Sequence, residues 1–413
     1  MVTVDRRSFI AGAAATALPL APRLSFAQDK PPLRIGLLCV KSGPLASGGI
    51  AMEQGLNTFL KERKFTISGR KVELLIGDTG GSPAIAKTKA QELVERDKVE
   101  ILCGPLAANE ALAIAGYVIE KKIPILSFAA AEDLTQRKPN PFLVRPSDSA
   151  GQTAHALGDF AATERGYKRI AALADDFAFG HEQVGAFQRV FEDKGGKIVK
   201  KLFPPLNTAD YGPHLAQLKN VDAIFAGFAG SNGLKFVKQC YEFGIKFPII
   251  GGQSLIDEAL LPQMADAALG IINAPLYSTD IDTPSNKTFK EEMWADYHAV
   301  PGGYSSIPYN MGQFIEAALE QTGGRTDDHE AVVKALRAAK LTDTPRGPLR
   351  FDEYGNVIIS AYICEVKKIG DRYANSVIKT YPNVTQFWTY DPKWYLAQPV
   401  YSREYPPSRY LEP

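Results

Sequence analysis

Leu33-Arg34-Ile35-Gly36-Leu37-Leu38-Cys39-Val40, running into Lys41-Ser42-Gly43-Pro44-Leu45-Ala46-Ser47-Gly48-Gly49, is the stretch that decides the fold class. The first eight residues are apolar toward both faces, which is the pattern of a parallel strand covered by helices on each side. The glycine-rich segment then reads as a loop feeding a helix N-terminus. It has neither the G-x-G-x-x-G spacing of a dinucleotide-binding turn nor the Gly-Lys-Ser/Thr ending of a P-loop. The same beat repeats downstream. Val72 to Ile76, Glu100 to Cys103 and Ile123 to Ser127 are further short apolar runs. Between them Pro83 to Arg96 has amphipathic helical spacing, with Ser82 placed to cap it and Pro83 in the first turn, where proline is tolerated.

A second series begins after Val144-Arg145-Pro146-Ser147. Arg169 to Ala174, Lys197 to Leu202, Ala223 to Phe228 and Pro248 to Gly251 read as strands, and Glu182 to Lys194 as a helix with Val184, Phe187, Val190 and Phe191 inward. A strand is expected near Ile271 to Tyr277, then helices over Tyr309 to Gln321 and Asp328 to Ala339. From Leu349 the chain alternates through a turn at Gly355-Asn356 into Val357 to Lys367, the pattern of an antiparallel ribbon. The expected fold class is α/β, with two doubly wound parallel-sheet lobes and crossings near Pro146, Pro275 and Gly347. The expected division is 33–145 plus 276–346 for the first lobe and 147–274 plus 348–380 for the second. The Trp-, Tyr- and Pro-rich tail, 381–413, is expected to lie extended on the surface.

Ahead of this series, Asp5-Arg6-Arg7-Ser8-Phe9-Ile10, the apolar run to Leu20 and Ser25-Phe26-Ala27 have the layout of an export leader, 1–27, with paired arginines of the twin-arginine type. The run is too short to span a bilayer, so cleavage after Ala27 and a periplasmic location are expected. Losing Arg6, Arg7, Arg23 and Asp5 takes the 47 basic and 46 acidic residues to 44 and 45. That balance gives no electrostatic reason for a nucleic-acid or anionic-membrane partner. Cys39, Cys103, Cys240 and Cys364 have no C-x-x-C spacing, so no zinc site is expected. Cys39 and Cys103 close apolar runs and read as buried thiols rather than a bridge.

Catalytic signals are thin. The histidines, His155, His181, His214, His298 and His329, never pair at i, i+3 or i+4, so neither a metal site nor a cofactor is expected. Ala229-Gly230-Ser231-Asn232-Gly233 lacks the first glycine of a nucleophile elbow. Asp175-Asp176 reads as a loop start able to cap a helix. No enzyme is expected.

Taken together, Ile35-Gly36 through Ser42-Gly43-Pro44, Asp78-Thr79, Gly104-Pro105, Pro124-Ile125-Leu126-Ser127, the Asp176 to Gly180 turn and the Tyr309 helix resemble the periplasmic solute-binding components of ABC importers. The leucine/isoleucine/valine-binding type is the group they are most similar to. The resemblance implies the type I periplasmic binding protein fold, two lobes joined by three hinge crossovers, closing on a small solute and docking on a membrane permease. It carries ligand contacts to Ser47 and Gly48, to Leu106 and Ala108, to Ala129 and Ala131, to Phe179 and Gly230, and to Gln253 and Tyr304.

Three of these positions depart from the amino-acid pattern. Ala108 and Ala131 stand where hydroxyls would hold an α-carboxylate, and Gln253 stands where an acid would pair an α-ammonium. A buried ammonium without an anionic partner costs several kcal/mol, so a zwitterion is disfavoured. A carboxylate alone could be received by the backbone N–H groups of Ala108 and Asn109 at the start of a helix. Phe128, Phe179, Phe228, Tyr277 and Tyr304 would supply flat walls, although Phe128 and Phe228 read equally well as core. The tail also resembles that of an aromatic-acid-uptake subgroup. The expectation is a binding protein for a benzoate- or phenylpropenoate-like acid. A branched-chain amino-acid binder, a periplasmic hydrolase and a ligand sensor are the alternatives.

Overall fold

The computed structural model describes residues 1–2, 30–43 and 45–412, so the expected leader and Pro44 lie outside the described residues. The quoted run forms β1 (Leu33–Cys39) and its loop opens α1 (Ala46–Glu62). There follow β2 (Thr66–Ile67), β3 (Arg70–Asp78), α2 (Pro83–Gln91), β4 (Ile101–Cys103), α3 (Ala108–Lys121), β5 (Ile125–Leu126) and β6 (Leu143–Val144). These strands make one sheet in the order β2-β3-β1-β4-β5-β6, parallel except for the β2–β3 pair. Ser82 precedes α2 and Pro83 opens it, as expected. Glu92–Arg96 widens into a π turn rather than continuing the α-helix.

The second series is α4 (Ala150–Thr163), β7 (Arg169–Ala174), α5 (Ala178–Asp193), β8 (Lys197–Leu202), α6 (Gly212–Leu215), β9 (Ala223–Gly227), α7 (Gly230–Glu242), β10 (Ile249–Gly251), α8 (Leu261–Met264) and β11 (Ile272–Asn273). The chain then makes α9 (Pro284–Tyr297), α10 (Gly303–Thr322) and α11 (His329–Ala338). Helices α9 and α10 pack back on α1 of the first lobe. Last come β12 (Lys340–Leu341), β13 (Leu349–Phe351), β14 (Val357–Ile369), β15 (Arg372–Val384) and α12 (Pro392–Leu396). The second sheet runs β12-β13-β14-β11-β10-β9-β7-β8, with β15 paired to β14. It is parallel from β11 to β8 and antiparallel from β12 through β15. The architecture is therefore α/β with two parallel-dominated sheets, and the late antiparallel ribbon falls where alternation placed it.

One residue ties the crossings together. The Arg346 guanidinium donates to Pro146 O at 2.9 Å and Leu276 O at 2.8 Å and pairs with Asp148, all of them buried. Three chain segments that pass between the sheets thus converge on one buried cation. Such a charge is tolerated in the interior because it is both paired and hydrogen-bonded.

Two expectations change. Strand β12 hydrogen-bonds to β13 on the second sheet's path, although 276–346 reads as returning whole to the first lobe. The tail is only partly extended over the surface. Residues 381–384 complete β15, α12 follows, and Phe387, Tyr395 and Tyr401 are buried. Aromatic residues spaced by prolines look like an exposed linker unless their distant partners are known. All four cysteines are buried free thiols, and burial pushes Cys39 and Cys103 up to about 12.

Candidate functional site

Doubly wound sheets place the helix N-termini at the carboxyl ends of their strands. Here six helix starts meet at one cavity. Leu45 precedes α1, Ala107 and Ala108 open α3, and Ser147 stands just ahead of α4. Phe177 and Phe179 open α5, Ala229 precedes α7 and Tyr304 lies in the first turn of α10. A helix start carries backbone N–H groups and the positive end of the peptide dipole, so these elements bring backbone donors toward the cavity without a cationic side chain.

The walls are aromatic. Phe128 and Tyr304 stack with ring centroids 5.5 Å apart and planes 8° from parallel. Phe177 and Phe179 form a second pair at 5.7 Å. Ser147, Gln253, Ser254 and the Tyr304 phenol are the polar lining groups. Burial, with Asp257 adding to it, pushes the Tyr304 phenol up, so it remains a neutral donor at physiological pH. Gln253 is 3 % exposed and its Oε1 has no hydrogen-bond partner among the described residues. Its amide oxygen is thus an unpartnered acceptor at the cavity wall.

Three buried acids stand behind this wall rather than in it. Asp175 accepts from Ala229 N at 3.1 Å and Asn232 Nδ2 at 2.8 Å, so it caps α7 and not the helix that follows it in sequence. Burial pushes it up to about 7. Asp257 accepts from Gly303 N at 2.8 Å, and Glu110 from Ala107 N at 3.2 Å. Burial raises both. Among the described residues the lining includes no Asp, Glu, Lys or Arg. An ammonium finds no anion there, while an isolated carboxylate finds helix starts and hydroxyls.

Of the residues expected to touch solute, the structure brings Leu106, Ala108, Phe179, Gln253 and Tyr304 together on the lining, with Phe128 beside them. Gly48 sits behind Tyr304, where an added Cβ would come within 2.8 Å of its ring. Gly230, at φ +54°, turns its N–H toward the Tyr304 phenol. Ala129 is buried in the core between two lining residues. Ala131 lines a separate groove instead, and its carbonyl accepts from Arg145. Ser47 and Asn109 are exposed off the lining, and Asn109 Oδ1 accepts from Glu110 N. Tyr277 is buried with its hydroxyl donating to Asn286 Oδ1 at 2.6 Å, and Phe228 packs on Phe236 in the second core. Sequence reasoning missed Phe177, Ser147 and Ser254. Phe177 directly precedes a helix, Ser147 follows the first crossing and Ser254 adjoins Gln253, so position relative to a strand end was the available signal.

A cavity between two α/β lobes, walled by rings and helix starts, has the form of a small-molecule binding site. The chain belongs to the periplasmic binding protein family, which matches residues 32–371. A Leu/Ile/Val-binding protein homologue of Brucella melitensis is 28 % identical over 362 residues, covering 84 % of this chain and 91 % of that protein. An ABC transporter substrate-binding protein from Sphaerobacter thermophilus is similar in structure with TM-score 0.81 and 33 % identity, covering 86 % and 99 % of the two chains. A solute-binding protein from Rhodopseudomonas palustris BisB5, solved with 3,4-dihydroxybenzoic acid, gives TM-score 0.82 and 30 % identity over 86 % and 98 %. The protein is a solute-binding component of an ABC transporter. Among the described residues no helix is long and apolar enough to cross a membrane, and no His/Cys/Asp/Glu group could hold a metal.

Proposed function

We propose that this protein captures an aromatic monocarboxylate, of benzoate or phenylpropenoate type, in the periplasm and delivers it to a membrane permease. The observation that carries this reading is the lining itself, stacked rings and converging helix starts with no charged side chain among the described residues. The ring would lie against Phe128, Tyr304 and Phe179, and the carboxylate would take backbone N–H groups at the helix starts. The solved relative bound to 3,4-dihydroxybenzoic acid supports the ring, whereas the curated relatives named for Leu/Ile/Val favour an amino acid. The lack of an acidic partner for an α-ammonium on the lining supports the aromatic acid.

A thermal-shift screen of ligand-free protein with benzoate, 3,4-dihydroxybenzoate, coumarate and leucine tests the proposal. A solute at a hundred times its dissociation constant stabilises by about 2.7 kcal/mol, which moves the midpoint by a few degrees. A shift with one or more of the aromatic acids and none with leucine is expected. A shift with leucine alone would overturn it.

A further inference from the structure

The tail does more than finish the fold. After β15 it runs along the second lobe, where Tyr401 shares a hydrogen bond with His155 at 3.1 Å. Gly185 of α5 leaves room for the same side chain, since a Cβ there would come within 2.7 Å of the Tyr401 Cβ and 2.8 Å of its ring. The Arg189 guanidinium lies over the Trp394 and Tyr405 rings at 5.4 and 5.3 Å. Tyr390 donates to Asp193, and Arg403 pairs with Asp176.

The same segment also grips the first lobe, on the stretch between β5 and β6. Arg137 donates to Gln398 O at 2.7 Å, to Pro399 O at 3.2 Å and to Tyr395 O at 3.4 Å, while its other nitrogen pairs with Asp133. Tyr395 Oη donates to the Glu132 carboxylate at 3.3 Å. Gln386 exchanges hydrogen bonds with Thr135 through its amide oxygen at 2.9 Å and its amide nitrogen at 3.3 Å. Lobe rotation away from this arrangement would have to break a charge-assisted hydrogen-bond fan as well as displace buried rings.

We propose that residues 386–405 form an internal strap that links the two lobes through Arg137 and limits their opening when no solute is bound. The strap is covalently part of the second lobe and non-covalently fastened to the first. It acts whatever solute the cavity takes, and its test needs none. Opening of the ligand-free protein is therefore narrower than three hinge segments alone would permit.

The experiment is a double electron–electron resonance measurement on the full chain carrying Glu120→Cys in the first lobe and Lys219→Cys in the second, both at exposed positions. The four native thiols are buried, so spin label goes to the introduced sites. Arg137→Ala removes the charged fastening to the first lobe, leaving the Tyr395–Glu132 and Gln386–Thr135 hydrogen bonds and the tail's hold on the second lobe. Deleting the tail would uncover His155 and Gly185, so it is not the variant of choice. Arg403→Ala is the control, because it removes a tail contact made only within the second lobe. The expected result is one narrow distance distribution in the parent, a broader one with a longer-distance population in Arg137→Ala, and the parent distribution in Arg403→Ala. Superimposable distributions for Arg137→Ala and the parent would overturn the proposal. Equal broadening in Arg403→Ala would overturn it too, since the effect would then be loosening of the tail rather than release of a lobe.

Discussion

Gly48→Ala separates the cavity's shape from its chemistry, because the residue touches the ring that forms the wall. A Cβ at this position would lie 2.8 Å from Tyr304 Cδ1, 3.0 Å from Cε1 and 3.3 Å from a Leu106 methyl. Ordinary carbon contacts are about 3.5 to 4.0 Å, so the Tyr304 ring must retreat by about 0.7 Å or more toward the cavity. Its other neighbour is Phe128, stacked at 5.5 Å, so the retreat alters that stack. Overpacking of this kind costs about 1 to 3 kcal/mol and an aromatic pair contributes about 0.5 to 1.5 kcal/mol. Alanine in the first turn of α1 regains at most about 1 kcal/mol of helix propensity over glycine, which offsets part of the loss in the free protein. Affinity for an aromatic acid should therefore fall by about 1 to 2 kcal/mol, or roughly 5- to 30-fold, while the melting temperature moves little. Isothermal titration with 3,4-dihydroxybenzoate or benzoate, paired with a thermal melt of the free protein, reads both quantities. Unchanged affinity at unchanged stability would show that the Tyr304 ring position does not set the site.

Phe179→Ala should weaken aromatic-acid binding by about 1 to 3 kcal/mol, and titration of the variant showing parental affinity would remove this ring from the site. Gln253→Glu places a buried carboxyl against the solute's own. Affinity should drop at pH 8 and recover toward pH 5 as that carboxyl takes a proton, which a pH series of titrations would reveal. Asp175 and Glu258, both pushed up to about 7 by burial, link stability to pH. Each holds its proton in the fold above the pH, about 4, at which the unfolded chain releases it. Their stabilisation is therefore complete below about pH 4 and is lost as pH rises through 7, so the melting temperature should fall between pH 5 and 8. Asp175→Asn should flatten that slope in a melting series, and a parental slope in the variant would exclude Asp175 as a contributor.

The strands were legible because a strand buried on both faces is a continuous apolar run, and no other local structure needs one of that length. Arg169–Ala174 falls where the sequence reading put it on that signal, and Lys197–Leu202, a half-exposed edge strand with three lysines, falls in place without it. The site was half legible, since rings and helix starts at strand ends follow from topology, while side-chain direction does not. That is why Phe128 entered the cavity and Phe228 the core, a choice their local sequences leave open. The tail was misread for a different reason. The groups that bury it, His155, Gly185 and Arg189, sit on helices far upstream, and no local pattern announces a distant cage. Arg346 is likewise invisible as a junction until three separated carbonyls and carboxylates are brought around it.

The four buried thiols bear on when this chain can fold. None is paired, and each packs in a core beside apolar neighbours, so none of them waits for an oxidant. Secreted proteins stapled by disulfides must finish folding after they leave the reducing cytosol. Neither lobe of this one needs an oxidising compartment to form. A route that carries proteins already folded, the one implied by the twin-arginine leader expected at Arg6-Arg7, asks for a chain of that kind.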